Sequence, residues 1–178
     1  MSISKNVASY IVRTGEIDDA EAIFNIQKSV VSEGEYLISL SDEFSKTPSQ
    51  YREWVQSILE NERETLMVAE KDGEVVGWIV FEVTQNRRRL SHTGTFGMMI
   101  SNRHRDKGIG SMLLGALLDW AEKNPFIEKV SLGVFSTNQR AISLYKKMGF
   151  IEEGRKVKEF KMNDHEYVDD ILMYKLVK

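Results

Sequence analysis

The segment that most narrows the fold is Ile100-Ser-Asn-Arg-His-Arg105-Asp-Lys-Gly108-Ile-Gly110-Ser111. It joins a short apolar stretch, Phe96 to Ile100, to a long amphipathic one from Ile109 to Ala121. That order reads as a strand, a basic glycine-rich turn and the first turn of a helix. The first backbone N–H groups of a helix lack intrahelical acceptors, and the helix dipole places partial positive charge at the same end. Glycines let a backbone approach a large anion closely, and Arg103, Arg105 and Lys107 add formal charge. Such a turn suits a phosphate group, and more specifically a pyrophosphate.

Spacing excludes two common phosphate-binding turns. A dinucleotide fingerprint needs a third glycine three residues after Gly110, where this chain has Leu113. A nucleoside-triphosphate loop needs lysine directly after its last glycine, where this chain has Ser111. What remains is the pattern Arg-x-x-Gly-x-Gly, from Arg105 to Gly110. The formal net charge of −3 provides no general affinity for nucleic acid or an anionic membrane, so the basic turn is a local device. The chain has no cysteine, which excludes disulfides, thiolate metal sites and a cysteine nucleophile, and no metal centre is expected. Met1 to Tyr10 contain no apolar core of signal-peptide length and no later run approaches a membrane span. The cytoplasm is the expected location.

The remaining elements follow from periodicity and punctuation. Tyr10 to Arg13 reads as a strand, and Asp18 or Asp19 then caps a helix bearing Ala22, Ile23, Ile26 and Val30 on one face. A polar loop, Ser32 to Thr47, leads to a second helix that starts at Pro48 and carries Tyr51, Trp54, Val55 and Ile58. Thr65 to Lys71 and Glu74 to Val83 are strands joined by the hairpin signal Asp72-Gly73, and Gly94 to Ile100 is the next strand. Asn124-Pro125 stops the helix after the basic turn, and Ile127 to Phe135 is a strand. Asn138 to Met148 is a short helix ended by Gly149. Two strands, Phe150 to Met162 and Tyr167 to Val177, flank the turn Asn163-Asp164-His165. The expectation is a mixed, mostly antiparallel sheet with helices on its faces, an α+β fold. It forms a single domain over residues 10–178 after an N-terminal extension, residues 1–9.

A second motif, Asn138-Gln-Arg-Ala-Ile-Ser-Leu-Tyr145-Lys-Lys-Met-Gly149-Phe150, follows the first one strand later. In this order and spacing the two motifs resemble the GNAT superfamily of N-acyltransferases, over nearly the whole chain from Tyr10 to Leu176. The nearest branches are bacterial amino-acid N-acetyltransferases and ribosomal-protein N-terminal acetyltransferases. Glu166-Tyr-Val-Asp169-Asp-Ile-Leu-Met173 supports the former. The resemblance implies a seven-stranded sheet flanked by about four helices and acetyl-CoA as cosubstrate. One departure is Asp106, where the family usually has a small residue; an acidic group beside a pyrophosphate is kept out of the contact set.

The resemblance assigns acetyl-CoA to Arg105, Lys107, Gly108, Ile109, Gly110 and Ser111 at the pyrophosphate. Met98, Met99 and Ile100 take the extended pantetheine arm, and Asn138 and Tyr145 lie near the thioester. Family members splay the strand of Met98 to Ile100 away from the next one, which makes room for the arm. Without a cysteine, direct attack of an amine on the thioester is the natural mechanism, with the Tyr145 hydroxyl as the acid at the departing sulfur. Asn138 lies seven residues earlier, two helical turns, on the same face; it also suits a helix cap. Glu82 and His92 are the weak candidates for the base, while His104 reads as a neighbour of the turn and His165 as part of a hairpin. Glu33, Glu35 and Tyr36 are candidates for the acceptor ammonium. Arg87-Arg-Arg89 reads either as a solvated run or as a contact for an acceptor carboxylate or the CoA 3′-phosphate. Three functions follow: acetylation of an amino acid or similar small amine, acetylation of a protein N-terminus, or non-catalytic acetyl-CoA sensing. Homodimers are common in the family, and the oligomeric state stays open.

Overall fold

The two central strands are apolar at nearly every position, which only works when both faces of a sheet are covered. In the computed structural model, which describes residues 9–178, that is what they meet. On β2 (Thr65–Lys71) and β3 (Glu74–Val83), Leu66, Val68, Trp78 and Val80 pack on one face. Their partners are Ile23 and Ile26 of α1 (Ala20–Glu33) and Val55 and Ile58 of α2 (Pro48–Leu59). Met67, Ala69, Ile79 and Phe81 alternate with them and pack on the other face against Leu113, Leu114 and Leu117 of α3 (Ile109–Lys123). The expected extension, residues 1–9, lies outside the described residues apart from its last one.

The other elements are β1 (Ile11–Thr14), β4 (Thr93–Ile100), β5 (Lys129–Phe135), α4 (Gln139–Lys147), β6 (Ile151–Lys161) and β7 (Tyr167–Leu176). The seven strands form one sheet in the order β1-β2-β3-β4-β5-β7-β6. Every neighbouring pair is antiparallel except β4 and β5, which are parallel and joined by the crossover through α3. The expected mixed, mostly antiparallel sheet with four helices is the one observed.

Local chemistry explains most boundaries. Thr47 and Gln50 form a reciprocal capping box at α2 with Pro48 as its first residue. Asp72 and Gly73 both have positive φ, 53° and 82°, as a two-residue hairpin with the twist of its strands requires. Two boundaries differ from the sequence reading. Asp19 does not cap α1 through its side chain: a single 3₁₀ turn, Ile17–Asp19, precedes the helix. The Asp19 carboxylate accepts from Arg13 at 2.8 and 2.9 Å and from the Glu16 N–H at 2.7 Å. Burial pushes that carboxyl up, but these bonds outweigh it and its pKa lies below the usual value. At the other end α1 runs on to Glu33, and Gly34 ends it in the left-handed region at φ 70°.

Candidate active site

Among the described residues β4 and β5 are the one parallel pair, and the sheet opens where that pairing stops. β4 and β5 pair at Thr93, Gly94 and Thr95 against Lys129, Val130 and Ser131. Beyond that point the facing edges of Phe96–Ile100 and Leu132–Phe135 have no ladder between them, as the family resemblance implied. A cavity of about 800 Å³ occupies the gap. Its lining includes the glycine turn, the loop after α1, Phe160 of β6 and Asp170 of β7.

At the turn, the first helical bond of α3 runs from Met112 N–H to the Gly108 carbonyl at 3.1 Å. The N–H groups of Ile109, Gly110 and Ser111 therefore have no intrahelical acceptor, no side chain caps them, and no acidic residue occupies the first turn. Gly108 takes φ 81°, and a Cβ there would meet nothing within 4 Å, so its requirement is conformational. Gly110 differs. A Cβ there would stand 3.1 Å from Leu144 Cδ2, so this glycine lets α3 lie close to α4.

The charged residues of the turn do not all face the cavity. Arg105 grips Glu33 with two guanidinium nitrogens, at 2.7 and 2.9 Å, and donates from Nε to the Ile100 carbonyl at 3.1 Å. Both Arg105 and Glu33 line the cavity, but as partners of each other. In the sequence alone, Arg105 reads as a pyrophosphate contact and Glu33 as a contact for the acceptor ammonium. Lys107 is absent from the cavity lining; its ammonium folds back onto the Arg103 carbonyl at 3.0 Å. Asp106, at φ 60°, pairs with Arg140 at 3.0 Å on the exposed rim.

Met98, Met99, Ile100, Gly108, Ile109, Gly110, Ser111, Asn138 and Tyr145 all line the cavity. The Asn138 side chain caps α4 by accepting from Ala141 N–H at 3.2 Å. Tyr145 packs edge-on against Phe96 and Phe150, with ring centroids 5.6 and 6.1 Å away. Burial pushes its hydroxyl up to about 12, so it stays a proton donor across the neutral range.

The two candidates for the base, Glu82 and His92, lie outside the cavity lining. Glu82 is not among the lining residues; its carboxylate accepts from Trp54 Nε1 at 3.0 Å. Strand alternation places it with Trp78 and Val80 on the α1 and α2 face. His92 also lies outside the lining, at the start of β4, where its carbonyl accepts from Glu128 and Lys129 N–H groups. Arg87, Arg88 and Arg89 belong to an exposed turn away from the cavity, and His165 to the β6–β7 turn. His104 does line the cavity and contacts the Tyr10 hydroxyl at 3.1 Å. Burial, reinforced by Lys107, holds its imidazole below the usual value.

Glu35 and Tyr36 line the cavity from the exposed loop after α1. With them stand residues the sequence reading did not single out: Gly133, Phe135, Phe160 and Asp170. Phe135 and Phe160 stack with centroids 4.2 Å apart. Asp170 sits directly across from Phe135 in the β5–β7 register. Burial pushes its carboxyl above the usual value, against the pull of Lys156. The signal in the sequence was an acidic residue inside a strand, but β6 to β7 pairing with two register shifts hid which face it takes.

Comparisons with known proteins agree with this architecture. Residues 32–150 match the family described as "Acetyltransferase (GNAT) family". The L-amino acid N-acetyltransferase AaaT of Escherichia coli is 32% identical over 120 residues, which is 67% of this chain and 73% of that protein. An N-alpha-acetyltransferase of Sulfurisphaera tokodaii is 30% identical over 173 residues, 93% of this chain and 90% of that protein. Among solved structures, an acetyltransferase of the GNAT family from Streptococcus pneumoniae superposes with TM-score 0.88 at 25% identity, covering 94% of this chain and 99% of that one. The yncA protein of Salmonella typhimurium, solved with its cofactor acetyl-CoA, has the same fold at TM-score 0.86 and 19% identity, covering 96% and 95%.

Proposed function

The chain belongs to the GNAT acetyltransferase family and is an acetyl-CoA-dependent N-acetyltransferase, and from that premise we propose that it acetylates the α-amine of an amino acid or a similar small amine. Residues 10–178 act as one catalytic domain in this reading, and the cytoplasm is its place. The observation that carries the reading is one cavity lined by the uncapped start of α3, by Tyr145 and by Glu35, Tyr36 and Asp170.

The donor's pyrophosphate takes the N–H groups of Gly108 to Ser111. Its extended arm pairs with the open edge of Phe96–Ile100 as an added strand does, by backbone bonds. The acceptor nitrogen then attacks the thioester carbonyl directly. The α-amine of a peptide or amide, with pKa near 8, costs about 1 kcal/mol to deprotonate at pH 7, against roughly 4–5 kcal/mol for a lysine side chain. That difference favours an α-amine in a site with little basic machinery.

Tyr145 serves the departing sulfur chiefly as a hydrogen-bond donor. Full transfer from a hydroxyl at about 12 to a thiolate of pKa about 8.5 is uphill by roughly 5 kcal/mol. A hydrogen bond that strengthens as charge develops on sulfur lowers the barrier without that penalty.

One observation favours the second reading, a peptide N-terminus. Among the described residues lining the cavity, the arginines are Arg105 and Arg140. Each is paired with a carboxylate at the donor end. A free amino acid brings a carboxylate that these leave without a cation, whereas an amide or a peptide brings none. The test is a screen with acetyl-CoA, following thiol release over amino acids, amino-acid amides, dipeptides, polyamines and short peptides. Turnover with amino acids, amides or dipeptides supports the reading, and amides outpacing free acids selects the masked carboxylate. Turnover confined to polyamines or to long peptides refutes the small α-amine acceptor.

A further inference from the structure

We propose that Asp170 is the carboxylate that receives the acceptor amine, holding its N–H and taking its proton as the nitrogen attacks the thioester. The proposal rests on the acetyl-transfer reading above. It starts from position. Ser131 is the last residue of β5 paired to β4, and Gly133 lies two residues further into the gap. A Cβ on Gly133 would stand 2.9 Å from Asp170 Oδ1 and 3.3 Å from Oδ2. The carboxylate therefore lies against the β5 backbone in the space that a missing side chain leaves, at the mouth of the opening.

The side of the sheet matters equally. Leu132 and Val134 point into the core shared with α3, and Tyr145 packs against that same core. Gly133, between them, presents the opposite face, and that is the face Asp170 covers. A thioester held in the gap would have the Tyr145 hydroxyl towards one face and the Asp170 carboxylate towards the other. Departure of the thiolate and approach of the amine need donors and acceptors arranged in this way.

Asp170 also keeps its charge available. The nearby cations have other partners as well: Arg155 bonds Asp169 at 3.0 Å, and Lys156, across from Asp170 in the β6–β7 register, stands 3.6 Å from Glu159 while still pulling on Asp170. The stacked Phe135 and Phe160 rings line the same cavity. A half-buried carboxylate without a bound cation is costly to keep unless a ligand supplies the positive charge. The groups that act on it are Lys156 and Glu159 of β6 and the Val134 backbone of β5, while Glu35 of the loop after α1 and Tyr145 of α4 line the same cavity.

The step balances without another reactant. The N–C bond forms and the C–S bond breaks. The amine proton passes to Asp170 and then to solvent, and the thiolate, held by the Tyr145 hydroxyl, takes a proton from solvent.

The test compares Asp170→Asn and Asp170→Glu with the unmodified chain, using acetyl-CoA and an acceptor that the screen identifies. Asparagine keeps the shape and cannot take the proton. The expected result is a fall of roughly 10²- to 10⁴-fold in kcat/KM for the acceptor. Acetyl-CoA affinity by calorimetry stays within about twofold, the pH limb set by the carboxylate is lost, and glutamate restores part of the rate. Full turnover in Asp170→Asn, or loss of acetyl-CoA binding in step with activity, overturns the proposal. Equal loss in both variants with a lowered melting temperature overturns it too, as a structural role. Failure of the unmodified chain to acetylate any amine in the screen instead sinks the acetyl-transfer reading and this proposal together.

Discussion

The clasp between Arg105 and Glu33 is where the donor site is most open to a decisive perturbation. One arginine side chain ties three pieces together: the last carbonyl of β4, the start of the turn and the last turn of α1. Its side chain is 26% exposed and that of Glu33 is 24% exposed, so water screens the pair only in part. Exposed ion pairs contribute about 0–1 kcal/mol, and hydrogen bonds to charged groups about 1.5–3 kcal/mol. A bidentate pair at this depth falls between, near 1–2 kcal/mol, or roughly 5- to 30-fold in the population of an ordered turn. Glu33→Gln keeps the shape and removes the charge. If the clasp orders the turn, this variant weakens acetyl-CoA binding about 5- to 30-fold by calorimetry, and Arg105→Gln does the same. The double variant then loses little more than either, and raised salt narrows the differences. Were Arg105 instead a pyrophosphate ligand that Glu33 restrains, Glu33→Gln would tighten binding while Arg105→Gln weakened it. That pattern would refute the reasoning.

Three further outcomes follow from the same geometry. Lys107→Ala is expected to change acetyl-CoA affinity by less than about threefold, because its ammonium already serves the Arg103 carbonyl; a loss of tenfold or more would restore its expected role at the pyrophosphate. Tyr145→Phe should cut kcat by roughly 10- to 100-fold with acetyl-CoA affinity nearly unchanged, and full turnover would remove Tyr145 from the mechanism. Alkaline pH should destabilise the fold. Burial raises Tyr51 and Tyr145 to about 12, while the unfolded chain ionises them near 10. The unfolded state thus releases protons first, and stability falls as pH rises from about 10 towards 12. Denaturant midpoints flat across that window would contradict it.

The sequence reading was strongest where information is local. Pro48 after Thr47, Asp72-Gly73 and Gly149 each act through backbone angles or a cap that their neighbours alone determine. The periodicities of α3 and of β2 and β3 required only that apolar residues find cover. The glycine turn belongs to this class as well, since a helix that starts uncapped at Gly108 offers its N–H groups wherever it is placed. Partner assignment lies beyond local rules. Arg105 and Glu33 lie 72 residues apart, and no local rule pairs them. Glu82 is directed towards Trp54 by strand alternation, on a face whose cover could not be foreseen from its own segment.

The amino-acid sequence by itself determined the element order, the mixed sheet and the anion-binding start of α3, because backbone conformation and amphipathic period are short-range properties. Two decisions were left to the tertiary structure. It set where β4 and β5 part, after Thr95 and Ser131, and hence where the cavity lies. It also chose which strand carboxylate lines that cavity, bringing in Asp170 from β7 and leaving Glu82 outside. Both depend on the register between strands distant in the chain, and a one-residue shift of register exchanges the two faces of a strand.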